Sequence, residues 1–276
     1  NPIAYWVSNN YFSTFSNAEL LGEKNDVKRG MTTSNNEKFL RFWPEISYKK
    51  IKLNASSHEE ANISKAKWFP YSKGGGFRKW YGYMEFMINW ENNGKEIIDY
   101  ALTINSSYTR TIVNIPYYFQ PSVGFPYITS GEFSMRWIPQ GCLYDSGGPG
   151  IFSNQENRFF LISCLNSKPA TRLLKILNPT INLQIADVIR LPLPKLAVNF
   201  KSESTNRLIQ IAKDDWDSYE TSWDFTANPI IRTQQPNLEQ AFNTWQQQNA
   251  DAVAEMKRLE EENNKLFIDA YGLQDE

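Results

Sequence analysis

Apolar and polar positions change rhythm near residue 200. Before it, short apolar or alternating runs are separated by Gly, Asn, Ser and Pro, which is the pattern of a mixed fold with many short strands. The spacing predicts strands over 81–90, 110–113, 133–138 and 158–164, the last a continuous apolar run of the kind a buried strand carries. Two helices interrupt them. One is expected over 35–49, where Phe39, Leu40, Phe42 and Trp43 cluster before Pro44. The other is expected over 167–177, where Ala170, Leu173, Leu174 and Leu177 form a stripe that Asn178 and Pro179 stop.

Past residue 200 the period becomes helical. A first helix is expected over 205–219, with Leu208, Ile211, Ala212, Trp216 and Tyr219 on one side. After a turn at Asn228 and Pro229, a long helix starts at Asn237, an N-cap with Gln240 at the capping-box position, and runs to Tyr271 before Gly272. Along it Phe242, Trp245, Asn249, Ala252, Met256, Leu259, Asn263, Leu266 and Ala270 alternate spacings of three and four, the seam of a coiled coil or antiparallel helix pair. Its two asparagines either fix register or mark an exposed end of the seam. The expected class is α+β: a strand-rich domain at 1–200 followed by a helical spacer at 201–276.

Charge sharpens that division. The net value of -1 hides 22 Lys and Arg against 15 Asp and Glu in residues 1–200, and 7 against 15 in residues 201–276. A polyanionic partner therefore belongs with the first part, although a modest cationic excess also serves plain solubility. No run approaches the roughly 18 apolar residues of a membrane span. The opening Asn1-Pro2-Ile3-Ala4-Tyr5-Trp6 has neither the basic region nor the apolar core of a signal peptide, and reads as a boundary within a longer protein. Cys142 and Cys164 each sit inside an apolar run as buried thiols, which suits a reducing cytoplasm.

Several chemistries are excluded by what the chain lacks. His58 is the single histidine, in a polar stretch that reads as a surface loop or helix start, so a Ser-His-Asp hydrolase would need that one residue. No His-rich metal site or zinc knuckle can be assembled, and no phosphate-binding G-x-x-x-x-G-K-[ST] loop or G-x-G-x-x-G fingerprint occurs. The clusters Gly74-Gly75-Gly76 and Gly147-Gly148-Pro149-Gly150 match no nucleotide motif and read first as turns.

Two stretches point toward nucleic acid. Residues 65–81 interleave bases, rings and glycines: Lys73, Arg78 and Lys79 supply charge, and Gly75 lets backbone amides approach a phosphate. The same residues also read as core aromatics flanking an exposed hairpin. Residues 28–39 lead from Arg29 and Gly30 through Ser34 and Asn35 into a helix start, where short polar side chains suit phosphates or base edges and also suit capping.

These strings, in this order, resemble the region that follows the catalytic domain in PglX, the adenine-specific DNA methyltransferase family of BREX phage-defence systems. The resemblance rests on Ile3-Ala4-Tyr5-Trp6-Val7-Ser8, on Lys28-Arg29-Gly30-Met31 with Asn36-Glu37-Lys38-Phe39-Leu40-Arg41-Phe42-Trp43, and on Lys67-Trp68-Phe69-Pro70-Tyr71 with Phe77-Arg78-Lys79-Trp80-Tyr81-Gly82. It continues through Leu165-Asn166-Ser167-Lys168, Asn178-Pro179-Thr180-Ile181-Asn182, Leu191-Pro192 and Asp214-Asp215-Trp216-Asp217-Ser218-Tyr219 to Phe225, and so covers nearly the whole chain. Residues 124–133 depart from the pattern.

The resemblance implies an enzyme that uses S-adenosylmethionine to methylate the exocyclic amine of adenine. Its N-P-P-Y-type and glycine-rich cofactor motifs would lie upstream, and Asn1-Pro2-Ile3-Ala4 is not the catalytic motif, so no catalytic residue, metal ligand or cofactor is expected here. It also implies that relatives continue past the final helix. The expected partners are double-stranded DNA, the methyltransferase domain outside this chain, and other BREX proteins or a phage inhibitor. Arg29, Lys73, Arg78 and Lys79 are the expected phosphate contacts, Ser34, Asn35 and Ser130 the expected base-edge contacts, and Gly75 and Arg136 further expected DNA-binding residues. The rival expectation is an interaction module without DNA affinity that binds other defence proteins through its acidic helical end.

Overall fold

The computed structural model describes residues 7–16, 18–128, 132–195 and 200–276. Ser130 and residues 3–6 of the opening string lie outside them. Ten short strands are present: β1 Glu19–Leu20, β2 Asp26–Lys28, β3 Leu40–Phe42, β4 Trp68–Ser72, β5 Phe86–Asn89, β6 Ser122–Gly124, β7 Arg136–Ile138, β8 Leu143–Tyr144, β9 Gly150–Phe152 and β10 Pro192–Leu193. Five longer helices accompany them: α1 Glu91–Ile104, α2 Gln155–Leu165, α3 Lys168–Leu177, α4 Ser202–Trp216 and α5 Leu238–Tyr271. The class is α+β.

The strands form two four-stranded sheets, in the orders β2-β9-β6-β7 and β3-β5-β4-β8, and a small antiparallel pair of β1 with β10. Pairings are antiparallel except β4 with β8, which run parallel through Tyr71 opposite Leu143. Strands β4, β6 and β9 are buried along their whole length, as their runs of apolar and small residues require. One continuous core joins Phe69, Tyr71, Val123 and Ile151 of the sheets to Leu161 and Ile162 of α2, Leu173 of α3, Leu208 of α4 and Phe267 of α5.

Four sequence expectations are corrected. Residues 35–49 form no continuous helix but one α-helical turn, Asn36–Phe39, before β3 and short 3-10 turns, Trp43–Glu45 and Tyr48–Lys50, after it, because Leu40, Arg41 and Phe42 pair with Ile88, Met87 and Phe86 and sheet pairing overrides the local pattern. The run 158–164 is not a strand but the body of α2, capped by Asn154 Oδ1 accepting from Asn157 N at 2.9 Å. A helix buried over so much of its circumference shows no period, so periodicity alone cannot separate it from a buried strand. Within 81–90 only Phe86–Asn89 is extended, since Gly82 at φ +131° and Tyr83 at φ +59° turn the chain first. Arg110 closes a tight turn, Tyr108–Arg110, and residues 111–113 pair with no strand among the described residues.

The predicted helices at 167–177, 205–219 and 237–271 stand close to their expected bounds, as α3, α4 and α5. Ser167 caps α3, and Asn237 caps α5 by accepting from Gln240 N at 2.9 Å. Of the seam asparagines, Asn249 is exposed, whereas Asn263 is buried and donates to the Ser163 carbonyl at 3.0 Å.

Candidate nucleic-acid interface

Three glycine-bearing loops converge at one edge of the sheets. The first, 29–35, leaves β2; the second, 73–85, joins β4 to β5; the third, 145–149, joins β8 to β9. Met31 N donates to Tyr144 O at 2.8 Å, and Ser146 N donates back to Met31 O at 2.9 Å. The Thr32 hydroxyl donates to Ser146 Oγ at 3.1 Å. Gly30 is required here, because a Cβ on it would sit 1.8 Å from Tyr144 O. Gly74 at φ +84° would bring a Cβ within 2.4 Å of Gly147 O, so the second and third loops touch backbone to backbone. Asp145 ties them further, accepting from Tyr71 Oη at 2.8 Å and Gly147 N at 2.7 Å. Burial and that carboxylate push the Tyr71 phenol well above its usual range, so it stays a neutral donor.

A fourth segment closes the cluster. Thr111 O accepts from Thr32 N at 2.8 Å and Asn114 Nδ2 donates to Arg29 O at 2.9 Å, which brings the segment that follows Arg110 against the first loop. Arg29 and Arg110 are exposed, and neither makes an ion pair among the described residues. Lys73 is half-buried with Nζ 5.0 Å from the Phe86 ring centre and likewise has no carboxylate partner there. Ser34 is exposed in a left-handed conformation at φ +59°. Asn35 caps the turn that follows, its Oδ1 accepting from Lys38 N at 3.0 Å, and Gly75 is exposed at φ +103° against the Tyr83 ring.

The remaining expected cations are committed elsewhere. Arg78 Nη2 lies 2.5 Å from Asp215 Oδ2, its Nε donates to Tyr81 O at 2.8 Å, and its guanidinium rests 5.3 Å from the Trp216 ring. Lys79 pairs with Glu260 at 3.7 Å, and Glu260 also accepts from Trp80 Nε1 at 2.7 Å. Arg78 and Lys79 therefore fasten the second loop to α4 and α5, and their charged groups are engaged with carboxylates in this conformation. Arg136 is 2% exposed, 4.9 Å from the Tyr83 ring, and burial pushes its guanidinium down to about 10. Its side chain is out of reach of a ligand on this surface.

Sequence reasoning missed Arg110 and Ser146. The first was hidden in a supposed strand, and the second lay in a stretch read only as a turn. The sole pointer was the turn chemistry of Ser106-Ser107 and Asp145-Ser146-Gly147-Gly148. His58 opens the short helix His58–Ile63 and binds Ile115 O through Nε2 at 2.9 Å, with the Phe119 ring 5.1 Å away, so it packs. Both cysteines are buried and unpaired.

No family model matches the chain. The chain is 36% identical over 288 residues to the adenine-specific methyltransferase PglX of Lacticaseibacillus casei (strain Zhang), a match covering 100% of this chain and 23% of that protein. It is 34% identical over 235 residues to the adenine-specific methyltransferase BrxX of Escherichia coli O9:H4 (strain HS), covering 84% of this chain and 18% of that protein. Among solved structures, the Type IIL restriction-modification enzyme MmeI in complex with DNA superimposes with a TM-score of 0.52 at 10% identity. That superposition covers 93% of this chain and 34% of MmeI, and it is a likeness of fold. The chain belongs to the PglX and BrxX family of adenine-specific methyltransferases, and spans less than a quarter of the length of the relatives it matches.

Proposed function

We propose that this chain is the DNA-recognition segment of a BREX-type, S-adenosylmethionine-dependent N6-adenine methyltransferase acting in the cytoplasm. On this reading residues 1–200 recognise double-stranded DNA, residues 201–276 serve as a helical spacer, and base extrusion and methyl transfer fall to a domain outside this chain. The observation that carries it is the convergence of three loops on one edge, where Arg29, Lys73 and Arg110 have no carboxylate partner among the described residues. Hydroxyls of Thr32, Ser34 and Ser146 stand among them, and Ser130 is kept as a base-edge contact in the variable stretch. Phosphate contacts from such cations position a duplex, and short polar side chains test base edges. The named activity of the relatives, and the DNA in the MmeI complex, agree with that assignment. The chain carries neither an N-P-P-Y-type motif nor a glycine-rich cofactor motif, so none of its residues is assigned to S-adenosylmethionine.

The test is binding of a labelled duplex at two salt concentrations. Replacing Arg29, Lys73 or Arg110 by Ala should weaken binding across sequences and lower the salt slope by about one unit each. Unchanged slopes in all three would overturn the reading. A second reading, a module that docks other defence proteins or a phage inhibitor, draws on exposed Ile231 in the short helix Pro229–Arg232 and on Leu238 and Val253 of α5, which are 72%, 74% and 69% exposed. It gains if the chain retains no duplex yet co-elutes with such a protein.

A further inference from the structure

Arg136 is a buried charge held against an aromatic ring rather than an acid. It is 2% exposed, and among the described residues its Nη1 has no hydrogen-bond partner and no carboxylate pairs with it. The titratable groups that face it are the Tyr83 phenol, whose ring lies 4.9 Å from the guanidinium, and Arg78, which repels it. Asp215, the nearby acid, is taken by Arg78. An unpaired buried guanidinium destabilises a fold, and an apolar side chain of similar volume at such a place is commonly neutral or stabilising.

What covers Arg136 is a strained strap. Trp80 and Tyr83 hold φ of +70° and +59° on either side of Gly82 at +131°, conformations that aromatic side chains seldom adopt. The Tyr83 ring fills the space beside Gly75 and Gly76, where a Cβ would come within 2.7 Å of it. The Tyr83 ring thus touches both Arg136 and the glycine loop that follows Lys73.

We propose that Arg136 is a phosphate-binding arginine held in reserve: Tyr83 swings away when duplex DNA arrives, and a backbone phosphate takes the guanidinium. This rests on the DNA-recognition reading and adds to it a cation that the unbound surface conceals. A phosphodiester oxygen supplies the acceptor that Nη1 lacks, and the relaxed strap offsets part of the movement.

The experiment measures duplex affinity at two salt concentrations and melting temperature for the parent chain, Arg136→Met, Tyr83→Ala and the double variant. Arg136→Met should melt at or above the parent, bind about tenfold more weakly, and lose about one unit of salt slope. Tyr83→Ala should bind more tightly than the parent, with the gain absent in the double variant. If Arg136→Met fails to fold, or melts lower with affinity unchanged, the guanidinium is structural and the proposal is overturned. A Tyr83→Ala gain that persists in the double variant overturns it too. Protection of the parent by inorganic phosphate, without any difference between parent and Arg136→Met on duplex, removes the assignment to DNA. A parent that retains no duplex ends both readings, whereas binding weakened by Arg29→Ala but untouched by Arg136→Met ends this one alone.

Discussion

Replacing Asn263 by Ala asks whether a polar residue in the seam of α5 carries stability. Its Nδ2 donates to Ser163 O at 3.0 Å, its Oδ1 accepts from Ser163 Oγ at 2.5 Å, and Ser163 Oγ accepts from Thr205 at 3.1 Å. Ser163 lies in the last turn of α2, where Ser167 N, which would close the helical bond to its carbonyl, binds Cys164 O instead at 3.0 Å. Asn263 is thus the partner of an orphaned helix-end acceptor. Removing it leaves that acceptor buried and unpaired, which costs about 1–3 kcal/mol, and lost side-chain bonds with a small void bring the total to roughly 2–4 kcal/mol. For a chain of this size that lowers Tm by roughly 3–7 °C. Asn249→Ala, in the same seam but exposed, should stay within about 0.5 kcal/mol of the parent. Urea unfolding followed by circular dichroism, with the slope unchanged, measures both. Midpoints for the two variants that coincide would refute the reasoning.

Gly30→Ala should cost about 1–3 kcal/mol, because its Cβ meets the Tyr144 carbonyl at 1.8 Å and neither backbone can yield without opening the bridge of Met31 with Asp145; a melt equal to the parent would contradict it. Arg78→Met should destabilise more than Asp215→Asn. The ion pair is partly exposed and screened, so its loss costs less than about 1 kcal/mol, while Arg78 also binds the Tyr81 carbonyl and packs on Trp216. Urea midpoints rank the two. Burial raises both thiols, Cys164 up to about 12, so each stays protonated as pH rises through the usual thiol range, and a thiol reagent at about pH 8 should react only after unfolding. Prompt labelling of the native chain would contradict their burial.

The long helix was legible because its ends are local chemistry. Asn237 caps Gln240 N, and Gly272 takes φ +69° past the last turn, so both boundaries are written within a few residues. The stripe of α3 was legible for the same reason. The run 158–164 was not, since a segment apolar on every side reads the same whether it is extended or coiled. At the interface, Asn35 as a cap was legible, whereas the fates of Arg78 and Trp80 depended on Asp215 and Glu260, 137 and 180 residues away. No local pattern encodes such a partner. The seam asparagines look alike in sequence, and only packing separates Asn263, which joins α2 to α5, from Asn249, which faces water.

The charge asymmetry takes on a different meaning once these partners are known. Read along the chain, it looks like a cationic reader attached to an acidic spacer, with every base in the second loop available to a polyanion. In the fold, carboxylates of α4 and α5 claim Arg78 and Lys79, and Trp43 Nε1 donates to Thr221 O at 2.9 Å just beyond α4. The acidic helices thereby choose which cations remain. They neutralise the far end of the loop that follows Lys73 and leave Lys73 itself, with Arg29 and Arg110, without an ion pair among the described residues. A substitution at Asp215 or Glu260 should therefore free Arg78 or Lys79 and, on the DNA-recognition reading, raise the salt slope of duplex binding by up to about one unit. An unchanged slope would mean that the released cation reaches no phosphate, because slope counts phosphates neutralised.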